Sequence, residues 1–76
     1  MPRQPVVSGR ETIRALERGG FVFRRQEGSH VTMVHPSRRR RVTVTVHGTE
    51  DLPPGTLHSI LRQAGLTVEE FRGLLK

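Results

Sequence analysis

The stretch FVFRRQEGSHVTMVHPSRRRRVTVTVH, residues 21–47, decides the fold, because its apolar residues recur at every second position in three separate runs. A period of two is the spacing of a strand with one dry face, whereas a helix needs apolar residues three and four apart. In residues 21–26, Phe21 and Phe23 fall on one side and Val22, Arg24 and Gln26 on the other. Residues 30–35 form a second run that stops at Pro36, which cannot donate to a strand ladder. A third run, from about residue 41 to 47, alternates Val42, Val44 and Val46 with Thr43, Thr45 and His47. Residues 27–29 make the first turn, and the loop at 37–41 carries the second.

Helical signals flank these strands. Ser8 and Glu11 have the spacing of a capping box, Ile13, Ala15 and Leu16 supply an apolar stripe, and Gly19-Gly20 can provide the left-handed residue that ends a helix, so a first helix is predicted over 9–18. After the proline-punctuated segment 52–55, Thr56 is expected to cap a helix through Ala64 that carries Leu57, Ile60 and Leu61 and stops at Gly65. Thr67 and Glu70 form a second capping box, opening a short helix with Phe71, Leu74 and Leu75 on its apolar side. The predicted order is α-β-β-β-α-α: an α+β fold in which a three-stranded antiparallel sheet packs helices on one face and leaves the other open.

Parity assigns residues to those two faces. If Phe21, Phe23, Val31, Met33 and the three valines point at the helices, then Arg24, His30, Thr32, Thr43, Thr45 and His47 point outward. A hairpin centred in the 37–41 loop would set His30 opposite His47, with Arg24 flanking His30 from the first strand.

Composition narrows the function classes. At 76 residues the chain has room for one compact domain, 1–76, and with no cysteine it has neither disulfides nor thiolate metal ligands to reinforce a small core. No run approaches the roughly 18 apolar residues of a membrane span, and the first ten residues lack the apolar centre of a signal peptide, so a cytoplasmic protein is expected. The net charge of +6 is uneven: residues 1–41 hold ten arginines and three acids, whereas 42–76 hold three cations and four acids. Twelve of the thirteen cations are arginine, the side chain suited to bidentate phosphate contacts. This asymmetry points to nucleic acid or an acidic protein as partner, against the plainer reading of a basic face that only aids solubility.

Within that basic half, Gly28-Ser29-His30 places a titratable imidazole at the start of a strand. An imidazole can take or give a proton near neutral pH while guanidinium groups stabilise charge developing on a phosphate, which is what phosphodiester chemistry needs. His30 is therefore the candidate catalytic residue. Arg24, Arg25, Arg38, Arg39, Arg40 and Arg41, with the Gly28 and Ser29 amides, are candidates for RNA contacts. The second proton handler stays open, with His47, also counted among the candidate RNA contacts, an auxiliary candidate if it lies opposite His30. His35 reads as a residue flanking a turn and His58 as an exposed helical position. The four histidines lack a short ligand spacing, so no metal and no cofactor is expected.

Gly28-Ser29-His30, Val46-His47-Gly48, and Pro54-Gly55-Thr56-Leu57 followed by Ile60-Leu61-Arg62-Gln63-Ala64-Gly65-Leu66 together resemble the HicA family of mRNA interferase toxins, across essentially the whole chain. The resemblance implies a fold like the double-stranded-RNA-binding domain, endoribonuclease activity on mRNA with His30 at the position of the family's catalytic histidine, and inhibition by a HicB-type antitoxin. Any contact with DNA would come only through that antitoxin. The competing functional reading is a noncatalytic RNA-binding module, which the same fold would support; a third makes the chain chiefly a protein-interaction partner.

Overall fold

Ser8 begins the first helix as its spacing predicts. Its hydroxyl accepts the Glu11 amide at 3.2 Å, and the Glu11 carboxylate accepts the Ser8 amide at 2.9 Å. The structure, a computed structural model, describes residues 3–75. Its elements are α1 (Gly9–Arg18), β1 (Val22–Glu27), β2 (His30–His35), β3 (Arg40–Thr45), α2 (Pro54–Ala64) and α3 (Val68–Leu74). The strands form one antiparallel sheet in the order β1-β2-β3, so the predicted α+β order holds.

The helices lie over one face of that sheet. Val31 and Met33 of β2 and Val42 and Val44 of β3 are buried against Ala15 and Leu16 of α1, Leu57, Ile60 and Leu61 of α2, and Phe71 of α3. At roughly 25 cal/mol per Å² of apolar surface removed from water, this seam is the main favourable term for a chain without cross-links. Thr12 is the buried polar side chain of α1, and its hydroxyl donates to the Ser8 carbonyl at 2.9 Å. Gln63 of α2 reaches the outer edge of β3, where its amide oxygen accepts the Thr43 N–H at 3.1 Å.

Four expectations need correction. Phe21 is buried but precedes β1, since its amide closes the exit of α1 by donating to the Leu16 carbonyl at 3.0 Å. Phe23 is 55% exposed, because β1 is the edge strand on the side away from β3, the strand on which α2 packs. Helix α2 starts at Pro54, and Pro53, with no side-chain cap, stands where Thr56 was expected to act. A proline in the first turn lacks an N–H that would otherwise go unpaired, so the missing cap costs little there. Finally, β3 ends at Thr45, which leaves His47 beyond the sheet.

Gly9 is placed by a close approach. A β-carbon there would collide with the Thr45 carbonyl oxygen, so the first turn of α1 rests directly on the end of β3. Gly73 in α3, by contrast, has open space where its β-carbon would be. Gly9→Ala should therefore lower stability by about 2 kcal/mol through overpacking, while Gly73→Ala should leave it unchanged or raise it slightly; urea melts of the two variants check the contrast.

The capping box of α3 gives a second test. The Glu70 carboxyl is held below its usual 4.5, chiefly by the Thr67 backbone amide, then by the Thr67 hydroxyl, with a smaller contribution from Arg38. A carboxyl depressed in the folded state adds stability that is present above its unfolded pKa and disappears as pH falls through the folded one. The stability gap between the wild type and Glu70→Gln should thus be open at neutral pH and close below about pH 4, as thermal melts across that range would record.

Candidate functional site

Register sorts the open sheet face into rows. At one end His30 pairs with Glu27 of β1 and Thr45 of β3; in the next row on that face Thr32 lies between Arg25 and Thr43; farther along, Val34 lies between Val22 and Arg41. Directly opposed side chains have β-carbons about 5 Å apart, so His30 faces a carboxylate and a hydroxyl from its two neighbouring strands. His30 is exposed and follows the turn that Gly28 makes at a φ of +58°. Nothing crowds the β-carbon position of Gly28, so glycine serves the left-handed turn there and not a close contact. The Ser29 carbonyl accepts the Val46 N–H at 2.7 Å, which ties the histidine's own turn to the end of β3.

The structure moves both predicted neighbours of His30. Thr45 occupies the place expected for His47, because the hairpin closes at the His35 and Arg40 pair, with Arg39 taking the left-handed conformation at φ +53°. The pairing is displaced by two residues, which preserves the parity of every side chain while pushing His47 off the ladder. Arg24 sits in a β-bulge between Phe23 and Arg25, and beyond the bulge it is Arg25 that pairs with Thr32 on the open face. Arg25 also lies 3.8 Å from Glu27 as an exposed ion pair. Thr32, expected to be outward, is 9% exposed between its two flanking strands.

The arginine run at 38–41 is close to His30 in sequence but not in space. It occupies the opposite end of β2, about 17 Å away along a six-residue strand. Its members also diverge. The Arg40 guanidinium packs over Gly65 at the C-terminal end of α2, and Arg38 is near enough to Glu70 to stabilise that carboxylate. Arg41, paired with Val34, is the member that shares the open face with His30. His35 lies on the helix side as a structural residue: its ring meets Phe21 edge-on at 5.1 Å, and its Nδ1 accepts the Arg38 N–H at 3.2 Å. His58 is exposed on α2. Among the described residues, no three His, Asp or Glu side chains are grouped to hold a metal ion.

Glu27 was missed in the sequence because it reads as a turn residue after a polar run. Only the bulge, which shifts the end of β1 by one position, brings it opposite His30.

A comparison with protein families finds that the model described as the HicA toxin of bacterial toxin-antitoxin systems matches residues 9–66. The chain belongs to the HicA toxin family. Among curated proteins no sequence matches it. The matched span runs from the first turn of α1 through Leu66, just past the end of α2, and contains every side chain of the open-face rows. HicA toxins are in general of the nuclease type and belong to systems that pair a toxin with an antitoxin. No helix of the described residues is long and apolar enough to cross a membrane.

The separation of the arginines in this HicA-family chain is testable on stability alone. Arg40→Ala removes a cation from the C-terminal end of a helix and should cost about 0.5 kcal/mol at low salt, shrinking as salt is added. Arg25→Ala, on the open face, should cost nothing measurable; chemical denaturation at two ionic strengths compares them.

Proposed function

We propose that this HicA-family protein is a metal-independent endoribonuclease that cleaves mRNA in the cytoplasm, uses His30 as general acid or base, and is held inactive by a HicB-type antitoxin. The observation that carries this reading is the exposed His30 on the open sheet face, beside Glu27 and one row from Arg25. Cleavage requires that the 2′-hydroxyl lose a proton as it attacks the adjacent phosphorus, and that the departing 5′-oxygen gain one. The bond from phosphorus to the 5′-oxygen breaks, leaving a 2′,3′-cyclic phosphate on one product and a 5′-hydroxyl on the other. No electron changes hands and no cofactor is consumed.

His30 stands exposed on the open face, where an imidazole can either take or give a proton. Glu27 is the second group on the same face, and its carboxylate can hold the imidazole in one orientation or take the complementary proton. Arg25 supplies the guanidinium beside the reacting phosphate, and Arg41 supplies another farther along the face for the downstream chain. Arg24, Arg38, Arg39 and Arg40 contribute to the general attraction for RNA through the field of the basic half. The Gly28 and Ser29 amides border the histidine and can donate to a phosphate oxygen. DNA enters this scheme only through the antitoxin.

The test is incubation of the purified chain with a labelled mRNA in EDTA. Wild type should cut and leave cyclic-phosphate ends, and His30→Ala should lose at least a hundredfold in rate while keeping salt-sensitive RNA binding. Glu27→Gln should fall between the two. Salt-sensitive binding without cleavage by the folded wild type would replace this reading with that of a noncatalytic RNA-binding module.

A further inference from the structure

Next to the His30 row, a cavity of about 210 Å³ opens off the end of β3. Thr45, the residue paired with His30, forms part of its wall. From the geometry we infer that this cavity is a base-recognition pocket, taking the unstacked guanine of a single-stranded RNA next to the bond being cut. The inference rests on the ribonuclease reading for its substrate and on the cavity for its specificity.

The lining explains the choice of ligand. Leu52 and Pro53 give an apolar wall and the His47 imidazole a flat ring, surfaces against which a base can stack. Glu50 and Asp51 add two carboxylates, and neither pairs with a cation among the described residues. Among the described residues no arginine or lysine lines the cavity, in a chain whose sequence has thirteen of them. A phosphate is repelled by such a wall, whereas a neutral ring bearing N–H donors is accepted. Of the four RNA bases, guanine alone offers two adjacent, parallel donors, N1–H and the 2-amino group, that one carboxylate can receive together. Adenine and cytosine offer an amino group without a neighbouring N–H, and uracil a single N–H.

The pocket is also built before any ligand arrives. The Glu50 N–H donates to the His47 carbonyl at 3.0 Å, in a turn where Gly48 takes a φ of +56°. Asp51 pairs with Ser8, and the Leu52 N–H donates to the Val7 carbonyl at 2.8 Å, which fixes the acidic wall to the segment that starts α1. A rigid wall loses little entropy on binding, so its hydrogen bonds can discriminate between bases.

The experiment compares short single-stranded RNAs that carry either one guanine or one inosine, which lacks only the 2-amino group. Affinities are read by fluorescence anisotropy on the full chain bearing His30→Ala, so that the RNA survives. The guanine strand should bind about tenfold more tightly, as expected for one hydrogen bond to a charged acceptor. Glu50→Gln with Asp51→Asn should abolish the difference without weakening binding of the inosine strand. In the wild type the same preference should appear as cutting beside guanine, flattened in that double variant. Equal affinities, discrimination that persists in the double variant, or no RNA binding would each overturn the pocket. So would N-acetylarginine amide shifting the Thr45 and Thr56 amide signals while guanosine monophosphate does not, since that assigns the cavity to a protein arginine. Cleavage that shows no base preference would sink this inference and leave the ribonuclease reading standing; base discrimination without any cleavage would do the reverse.

Discussion

The pairing of β2 with β3 is the constraint on which the rest of the molecule depends. It places Val31 beside Val44 and Met33 beside Val42 under the helices, and by the same parity it places His30 beside Thr45 in the open. A slip of one residue would turn His30 inward and expose Met33. Each of those four side chains contributes about 1.5–3 kcal/mol when buried, so the alternative register is heavily disfavoured. The position of the candidate catalytic histidine is thus held by residues on the far side of the sheet that never approach a substrate.

How much of this was legible in the sequence follows from which forces act locally. The capping boxes at Ser8 and Thr67 and the left-handed Gly65 are determined within a few residues, and all were readable. The face occupied by His30 was readable as well, since alternation is a local signal. Pairing distance was not, because it depends on a four-residue hairpin loop in which Arg39 accepts a conformation that arginine seldom takes. The bulge in β1 was equally hidden: Arg24, Arg25 and Gln26 are all polar and exposed, so no dry face announces where the extra residue falls. That one insertion exchanges Arg24 for Arg25 on the site face and carries Glu27 to a position opposite His30.

The arginines show a different limit. A run of four suggests a single patch, yet the hairpin splits it between two layers, with Arg41 on the open face and Arg40 against the end of α2. Sequence neighbours in a strand alternate sides, so a charge cluster crossing a strand boundary is divided by the same period-two rule that builds the core. Arg40 is engaged by its own helix layer, where the exposed carbonyls at the end of α2 attract a cation.

The contact of Gln63 with the Thr43 amide has a consequence for how the protein tolerates its own concentration. An unpaired strand border is a template for a foreign strand, and here one border has its amide occupied by a side chain from α2. The other border, β1, is kinked by its bulge and carries Arg24 and Arg25, features that oppose the flat, uncharged partner a growing fibril requires. The open face can therefore stay uncovered without the sheet recruiting further copies along its margins.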